Sequence, residues 1–235
     1  MKFSVVIPAF NEAASITNSI KALKLQNIKR NDFEIIVVDN NSKDETFNVA
    51  VQADADKVVK ETTQGTNAAR QRGYRESQGE IIAFLDADSE PPVEWLEKIE
   101  KNLSQKDVAA VSGPFDYQFK GLKKILERIY IRKFFPKVPA ILRFFFRRKA
   151  GVIIGGNFAV WRSAIEKIGG LPQLAFWGDD AAIAMLISRK AGKVIFDPNL
   201  AVKSSPRRFE KSGFFRLPLR YVAAYLKAYF NRAYG

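Results

Sequence analysis

The chain of 235 residues contains no cysteine and no histidine. The first absence rules out disulfides and thiolate metal sites, so a reducing compartment is permitted. The second excludes a Ser-His or Cys-His nucleophile and leaves a carboxylate as the expected general base. A bound metal would have to rest on oxygen ligands, which favours Mg2+ or Mn2+ over Zn2+. Long apolar stretches are also lacking: no uninterrupted run approaches the roughly 20 residues needed to span a bilayer. After one lysine the N-terminus runs straight into a strand pattern, without a signal-peptide layout, so a soluble or peripheral protein is expected. Acids are outnumbered, 25 against 38 Lys and Arg. The resulting net charge of +13 points to an anionic partner: a nucleotide, nucleic acid or acidic membrane surface.

What is present is an alternation of strand and helix signals over the first half. Phe3 to Pro8 reads as a buried strand, followed by Ile16, Ile20 and Leu23 at helical spacing. Phe33 to Asp39 is a second strand that ends on an acid, and Ser42 with Glu45 forms a capping-box pattern for the next helix. Lys57 to Lys60 is a short third strand, and residues 66–77 a polar helix. Ile81 to Leu85 is a fourth strand, and Ser89 with Pro91 and Pro92 reads as a helix start ahead of Leu96, Ile99 and Leu103. Val108 to Val111 is a further strand. This order predicts an α/β fold with a mostly parallel sheet and helices on both faces.

The second half has a different composition. Over residues 119–150, Leu122, Ile125, Leu126, Ile129, Tyr130, Phe134, Phe135 and the Phe144–Phe146 run are interleaved with Lys and Arg. A similar mixture recurs from Phe214 to Tyr234. Basic amphipathic helices of this kind suit an anionic membrane surface. They equally suit packing on the sheet, with the cations as a solvated face. Pro136 and Pro139 should break or kink the first of these segments. No boundary separates independent domains. A single domain over 1–235 is expected, with a nucleotide-binding half (1–113), an acceptor and catalytic half (114–205) and a C-terminal amphipathic segment (206–235).

The apolar run before Asp86-Ala87-Asp88 ends in two carboxylates one residue apart. At the carboxyl end of a buried strand, such a pair lies where parallel sheets bind ligands. It can hold a divalent cation, which in turn can hold a pyrophosphate. The same pattern also occurs in simple turns. Asp39 ends a strand in the same way, although on its own it would read as a cap for the following helix. Asp179 and Asp180 follow Gly178 at the start of a helix pattern through Met185 and Leu186. They serve either as first-turn acids or as a catalytic carboxylate, and the two roles are compatible.

Together, five motifs resemble the family 2 glycosyltransferases of GT-A fold. They are Val5–Glu12, Val37–Asp44, Gly65–Gly73 leading into Gly79–Asp88, Gly155–Arg162, and Trp177–Asp180. The resemblance spans residues 3 to about 200. It implies inverting transfer of a sugar from a nucleotide sugar, such as a UDP- or GDP-sugar, with Mg2+ or Mn2+. By resemblance Pro8, Phe10 and Glu12 lie against the nucleoside, Asp39 reads the base, and Arg70 lies near the nucleotide. Asp86 lies toward ribose and metal, with Ala87 between it and Asp88, the metal ligand itself. Asp180 corresponds to the catalytic base, with Asp179 the acid before it, and Gly156 and Asn157 to the acceptor and donor-sugar side.

There are departures from the family pattern. Many relatives carry another acid two residues after the base, where this chain has Ala182. Some supply a C-terminal histidine to the metal, where this chain runs Val202 to Arg208. Arg207 and Arg208 can instead serve the pyrophosphate, or form a solvated basic loop.

The expected activity is sugar transfer to a hydroxyl acceptor, lipid-linked or an envelope glycan, at the cytoplasmic face of a membrane. A polyprenyl phosphate acceptor is the alternative. Rivals from other classes are a nucleotidyltransferase and a basic nucleic-acid-binding protein, the latter disfavoured by five acids at 39, 86, 88, 179 and 180 that would repel phosphate.

Overall fold

A computed structural model describes residues 1–119, 121–129, 137–147, 149–172, 178–207 and 216–231. Tyr130, Phe134, Phe135, Pro136, Trp177, Arg208, Phe214 and Tyr234, named above, lie outside the described residues. Strands β1 (Phe3–Ala9), β2 (Phe33–Asp39) and β4 (Ile81–Leu85) are almost wholly buried. That is the pattern of parallel strands covered on both faces.

Side chains of successive strand residues go to opposite layers. Val5, Ile7, Ile35 and Val37 pack with α1 (Ile16–Lys24) and α4 (Trp95–Leu103), through Ile16, Ile20, Leu23, Trp95, Leu96 and Ile99. Val6, Ile36, Val38, Ile82 and Phe84 pack on the other side with α3 (Thr66–Glu76), α7 (Arg162–Lys167) and α8 (Asp179–Lys190).

Among the described residues the main sheet has seven strands in the order β3-β2-β1-β4-β8-β6-β9, where β3 is Lys57–Lys60, β6 Val108–Ser112, β8 Asn157–Trp161 and β9 Lys193–Phe196. β8 is antiparallel to both of its neighbours, while the other pairings are parallel. The sheet therefore takes strands from both halves of the chain. A second, three-stranded sheet places β10 (Val202–Ser204) between β5 (Ser89–Glu90) and β7 (Phe115–Asp116). Because β5 directly follows Asp88, this small sheet carries the segment after β10 to the end of β4.

Helix α3 is polar, yet Asn67, Ala69, Arg70 and Gly73 are buried. A Cβ at Gly73 would lie 2.2 Å from Val6 Cγ1, so the glycine lets the helix seat directly on the sheet. Helix α9 (Arg216–Phe230) packs on α8, with Tyr225, Ala228 and Tyr229 in a cluster with Ala181, Ala182 and Met185. Ala182 is fully buried there, which explains the departure at that position: an acid would be desolvated against Tyr225 and Tyr229. One face of this C-terminal helix is thus core. Helices α5 (Gly121–Arg128) and α6 (Val138–Phe146) differ, leaving Leu122 70%, Phe144 81% and Phe145 71% exposed. Pro139 lies in the first turn of α6, where its missing N–H costs nothing.

Two local expectations fail. Helix α2 (Thr46–Gln52) has no Ser42–Glu45 capping box. The Ser42 hydroxyl instead accepts the Asn11 N–H, and Asp44 caps Thr46. Ser89 does not start α4, which begins at Trp95. Each proline biases the residue before it toward extended backbone, and Glu90 accordingly pairs with Lys203 across β5 and β10.

Candidate active site

The strand-end loops meet at the carboxyl edge of β1, β2 and β4. Asn11 and Asn41 adopt left-handed backbone, at φ 55° and 62°, and so turn the chain sharply after β1 and β2. The two loops are then laced together. Asn11 N–H donates to Ser42 Oγ at 2.9 Å, Lys43 N–H to Asn11 Oδ1 at 2.8 Å, and Glu12 N–H to Thr46 Oγ1 at 2.8 Å. Buried Asn40 ties in the third loop, donating to the Glu61 and Thr63 carbonyls and accepting from Gly65 N–H at 2.7 Å. Asp39 is buried at the end of β2, and one of its oxygens accepts the Ser42 N–H at 3.3 Å. Pro8 sits within β1 beside Val38, and Phe10 stands exposed beyond the strand end.

Asp86 and Asp88 lie in the turn that follows β4 and reach different partners. Asp86 lies 3.9 Å from Arg70 Nη2, and its backbone N–H donates to the Gly156 carbonyl. A Cβ at Gly156 would lie 2.0 Å from Asp86 Cγ, so that position must be glycine for the carboxylate to fit. Ala87 is buried between the two acids, and its carbonyl accepts the Ser19 hydroxyl. Asp88 faces the small sheet. Its Oδ2 accepts Arg207 Nη2 at 3.0 Å, and Ser204 Oγ approaches Oδ1 at 3.4 Å. The same Arg207 nitrogen donates to both Glu12 oxygens, at 2.8 and 2.7 Å. Arg207 therefore joins the opening loop to the second acid of the pair, and both carboxylates hold its charge firmly in place.

Asp179 and Asp180 open α8 behind Gly178. Asp179 pairs with Arg70 Nη1 at 3.0 Å. Asp180 keeps part of its surface exposed, but it is set deeply enough that desolvation dominates its acidity. Burial, reinforced by the adjacent Asp179 charge, pushes its carboxyl up to about 6. Arg70 and the backbone N–H groups of Ala181 and Gly155 pull the other way. A carboxylate tuned this way accepts a proton near neutral pH far better than an ordinary one.

Arg70 and Asn157 are both held by protein partners. Arg70 is only 4% exposed; it lies beneath the site, bracketed by Asp86 and Asp179. Asn157 is fully buried and wholly committed to protein groups. Its Oδ1 accepts Trp95 Nε1 at 3.0 Å, and its Nδ2 donates to the Pro114 and Leu200 carbonyls. It braces the loops around the site. The polar residues that lace the loops, Asn11, Asn40 and Thr46, escaped sequence reasoning, as did Ser204. The adjacent asparagines at 40 and 41, after a strand-end acid, were the available signal for the turn.

Strand-end carboxylates beside an acid of raised pKa, at the carboxyl edge of an α/β sheet, make this edge the candidate active site. The sequence profile of glycosyl transferase family 2 matches residues 4–169, and the chain belongs to that family. It is 35% identical over 121 residues to glycosyltransferase AglE of Haloferax volcanii, covering 49% of this chain and 40% of that one. It is 37% identical over 95 residues to the GalNAc(5)-diNAcBac-PP-undecaprenol beta-1,3-glucosyltransferase of Campylobacter jejuni, covering 38% and 30%. The chain thus spans less than half the length of these relatives. Its fold matches that of mannosyltransferase PcManGT from Pyrobaculum calidifontis, solved with GDP-Man and Mn2+. The TM-score is 0.67 at 23% identity, over 99% of this chain and 70% of that one. The expected mostly parallel α/β sheet of GT-A type is therefore established.

Proposed function

We propose that the chain transfers a sugar, with inversion, from a nucleoside diphosphate sugar to a hydroxyl acceptor, lipid-linked or part of an envelope glycan. The observation that carries this reading is the junction at Arg70. One guanidinium spans from Asp86, on the donor-side strand end, to Asp179, beside the raised-pKa Asp180. A base-competent carboxylate is thereby held one side chain away from the donor carboxylates. Asp39 accepts N–H groups of the nucleobase, and Pro8 and Phe10 line the nucleoside side. Asp180 takes the proton of the acceptor hydroxyl as its oxygen attacks the anomeric carbon. The bond from that carbon to the diphosphate breaks, and Arg207 stands by to meet the leaving charge. The C. jejuni relative, named for an undecaprenol-linked substrate, supports a lipid-linked acceptor. A polyprenyl phosphate acceptor is the variant that would not need Asp180.

The residues suit the Mg2+ or Mn2+ that the family implies. Among the described residues no three acids cluster into a closed metal site. Glu12 and Asp88 nevertheless converge on one cationic nitrogen of Arg207, at 2.7 to 3.0 Å, which stands in for a metal ion. Asp88 would hold the ion, with Glu12 beside it, and phosphate and water oxygens would complete the set. Asp86, drawn toward Arg70, would act from a greater distance. The ion would supply Lewis-acid stabilisation of the leaving diphosphate.

We also assign the exposed apolar residues of α5 and α6, set among Lys and Arg, to the anionic inner surface of a cell membrane. No helix among the described residues is long and apolar enough to cross a membrane, so such contact would be peripheral. The reading is tested by thermal stabilisation with a panel of UDP- and GDP-sugars, each with Mn2+ or Mg2+. A metal-dependent rise in melting temperature with one donor class is expected. No response to any member would refute the assignment.

A further inference from the structure

We propose that Arg70 is a positioning residue that fixes the base-bearing helix α8 against the donor-side strand β4, instead of binding the nucleotide. The inference rests on the reading of Asp180 as base and adds the means by which that base is held in register.

Arg70 sits on α3, which is locked to the sheet where Gly73 meets Val6 and Val38. Its guanidinium therefore projects from a rigid support. Nη1 donates to Asp179 Oδ2 at 3.0 Å, across 109 residues of sequence, and Nη2 lies 3.9 Å from Asp86 Oδ1. The cation also lies 5.9 Å from the centre of the Phe158 ring, which stacks at 4.6 Å on Phe84 of β4. Asp179, Asp86 and Phe158 thus surround the guanidinium. The space for the guanidinium is made by Gly155, where a Cβ would fall 2.7 Å from Nη2. Asp86 is accommodated in the same way by Gly156.

The arrangement has a cost. Arg70 Nε is buried without a hydrogen-bond partner among the described residues. An apolar side chain at this position would avoid that penalty but would remove the cation that stands between Asp86 and Asp179. Its mechanical effect is specific. Asp179 and Asp180 are consecutive in the first turn of α8, so a clamp on the first sets the place of the second. A base displaced by about 1 Å loses roughly a hundredfold in rate without altering donor affinity. A nucleotide-binding arginine would show the reverse.

The test combines Arg70→Met, Arg70→Lys, Asp179→Asn and the double variant Arg70→Met/Asp179→Asn, with Asp180→Asn measured alongside. Binding of GDP and UDP with Mn2+ is followed by calorimetry, and turnover as hydrolysis of GDP-mannose and UDP-N-acetylglucosamine. Arg70→Met and Asp179→Asn should each lower kcat about a hundredfold. Nucleoside diphosphate affinity should stay within about threefold, and the double variant should lose no more than the worse single one. Arg70→Lys should recover part of the rate, since a point charge can reach one carboxylate but cannot span two. Affinity falling tenfold or more in Arg70→Met but not in Asp179→Asn would overturn the proposal, and so would additive losses in the double variant. Should Arg70→Met fail to fold, the isosteric Asp179→Asn decides: a kcat loss at unchanged affinity supports the clamp, and a normal kcat refutes it. Near-normal turnover in Asp180→Asn would instead remove the base, and the clamp with it.

Discussion

Helices α3 and α6 invert the usual relation between polarity and burial. The first carries three arginines and is buried along one face, with Asn67 and Arg70 inside. The second carries three phenylalanines in a row and leaves Phe144 and Phe145 almost fully exposed. What separates them is close approach and pairing. Small residues bring α3 onto the sheet, and distant carboxylates satisfy the arginine that is carried inside. No comparable partner covers the exposed rings of α6 among the described residues. The difference teaches that this molecule keeps its charged chemistry in a braced interior and its apolar surplus at an exposed edge.

The largest expected effect lies on the charged side of that comparison. Asp88→Ala removes a carboxylate that meets Arg207 and the proposed cation, and should weaken Mn2+-dependent donor binding at least a hundredfold by calorimetry. Unchanged binding would move the cation elsewhere and break the assignment of the strand ends. Next comes Tyr229, which is fully buried against α8 and marks where the C-terminal helix stops being surface. Tyr229→Ala should lower stability by about 3 kcal/mol or more in denaturant unfolding, as large aromatic truncations in cores do. A loss under about 1 kcal/mol would return α9 to the exposed class beside α6.

The acidity of Asp180 gives a smaller and graded effect. Since the base must be ionised, turnover should rise with pH to half its maximum near 6 and level off above about 7. The sign for stability is opposite. The folded pKa of about 6 lies above the ordinary 3.8, so folding favours the neutral form. That contribution is complete below 3.8 and is lost as pH rises through 6. Asp180→Asn should therefore raise the melting temperature over wild type most at pH 8, by about half as much at pH 5, and hardly at all below about pH 3.5. The smallest effect on stability belongs to Phe144→Ser/Phe145→Ser, expected within about 0.5 kcal/mol because exposed rings contribute little. Sedimentation with anionic liposomes should nevertheless drop in this variant, and unchanged sedimentation would detach α6 from any membrane role.

The alternation of buried strands was legible because parallel strands covered on both faces leave unbroken apolar runs, as in β1, β2 and β4. The strand-end placement of Asp39 and Asp86 was legible because each follows such a run directly, and Asp88 lies two residues further on. What was not legible shares a physical cause, in that the deciding partner lies far along the chain. Asn157 is claimed by Trp95, 62 residues away, and Arg70 by Asp179, 109 residues away. Ser42 is taken by the opposite loop before it can cap α2. Ser89 and Glu90 are drawn into a strand by β10, more than a hundred residues downstream. Motif resemblance gave these residues a neighbourhood, and only the packed structure shows which neighbour holds them.

The account rests most directly on separating donor binding from proton removal. Asp180→Asn, saturated with the donor that stabilises the wild type, should bind it with unchanged affinity while transfer slows by about a hundredfold to ten-thousandfold, the range typical of losing a general base. Turnover close to that of the wild type would contradict the central claim that Asp180 takes the acceptor's proton.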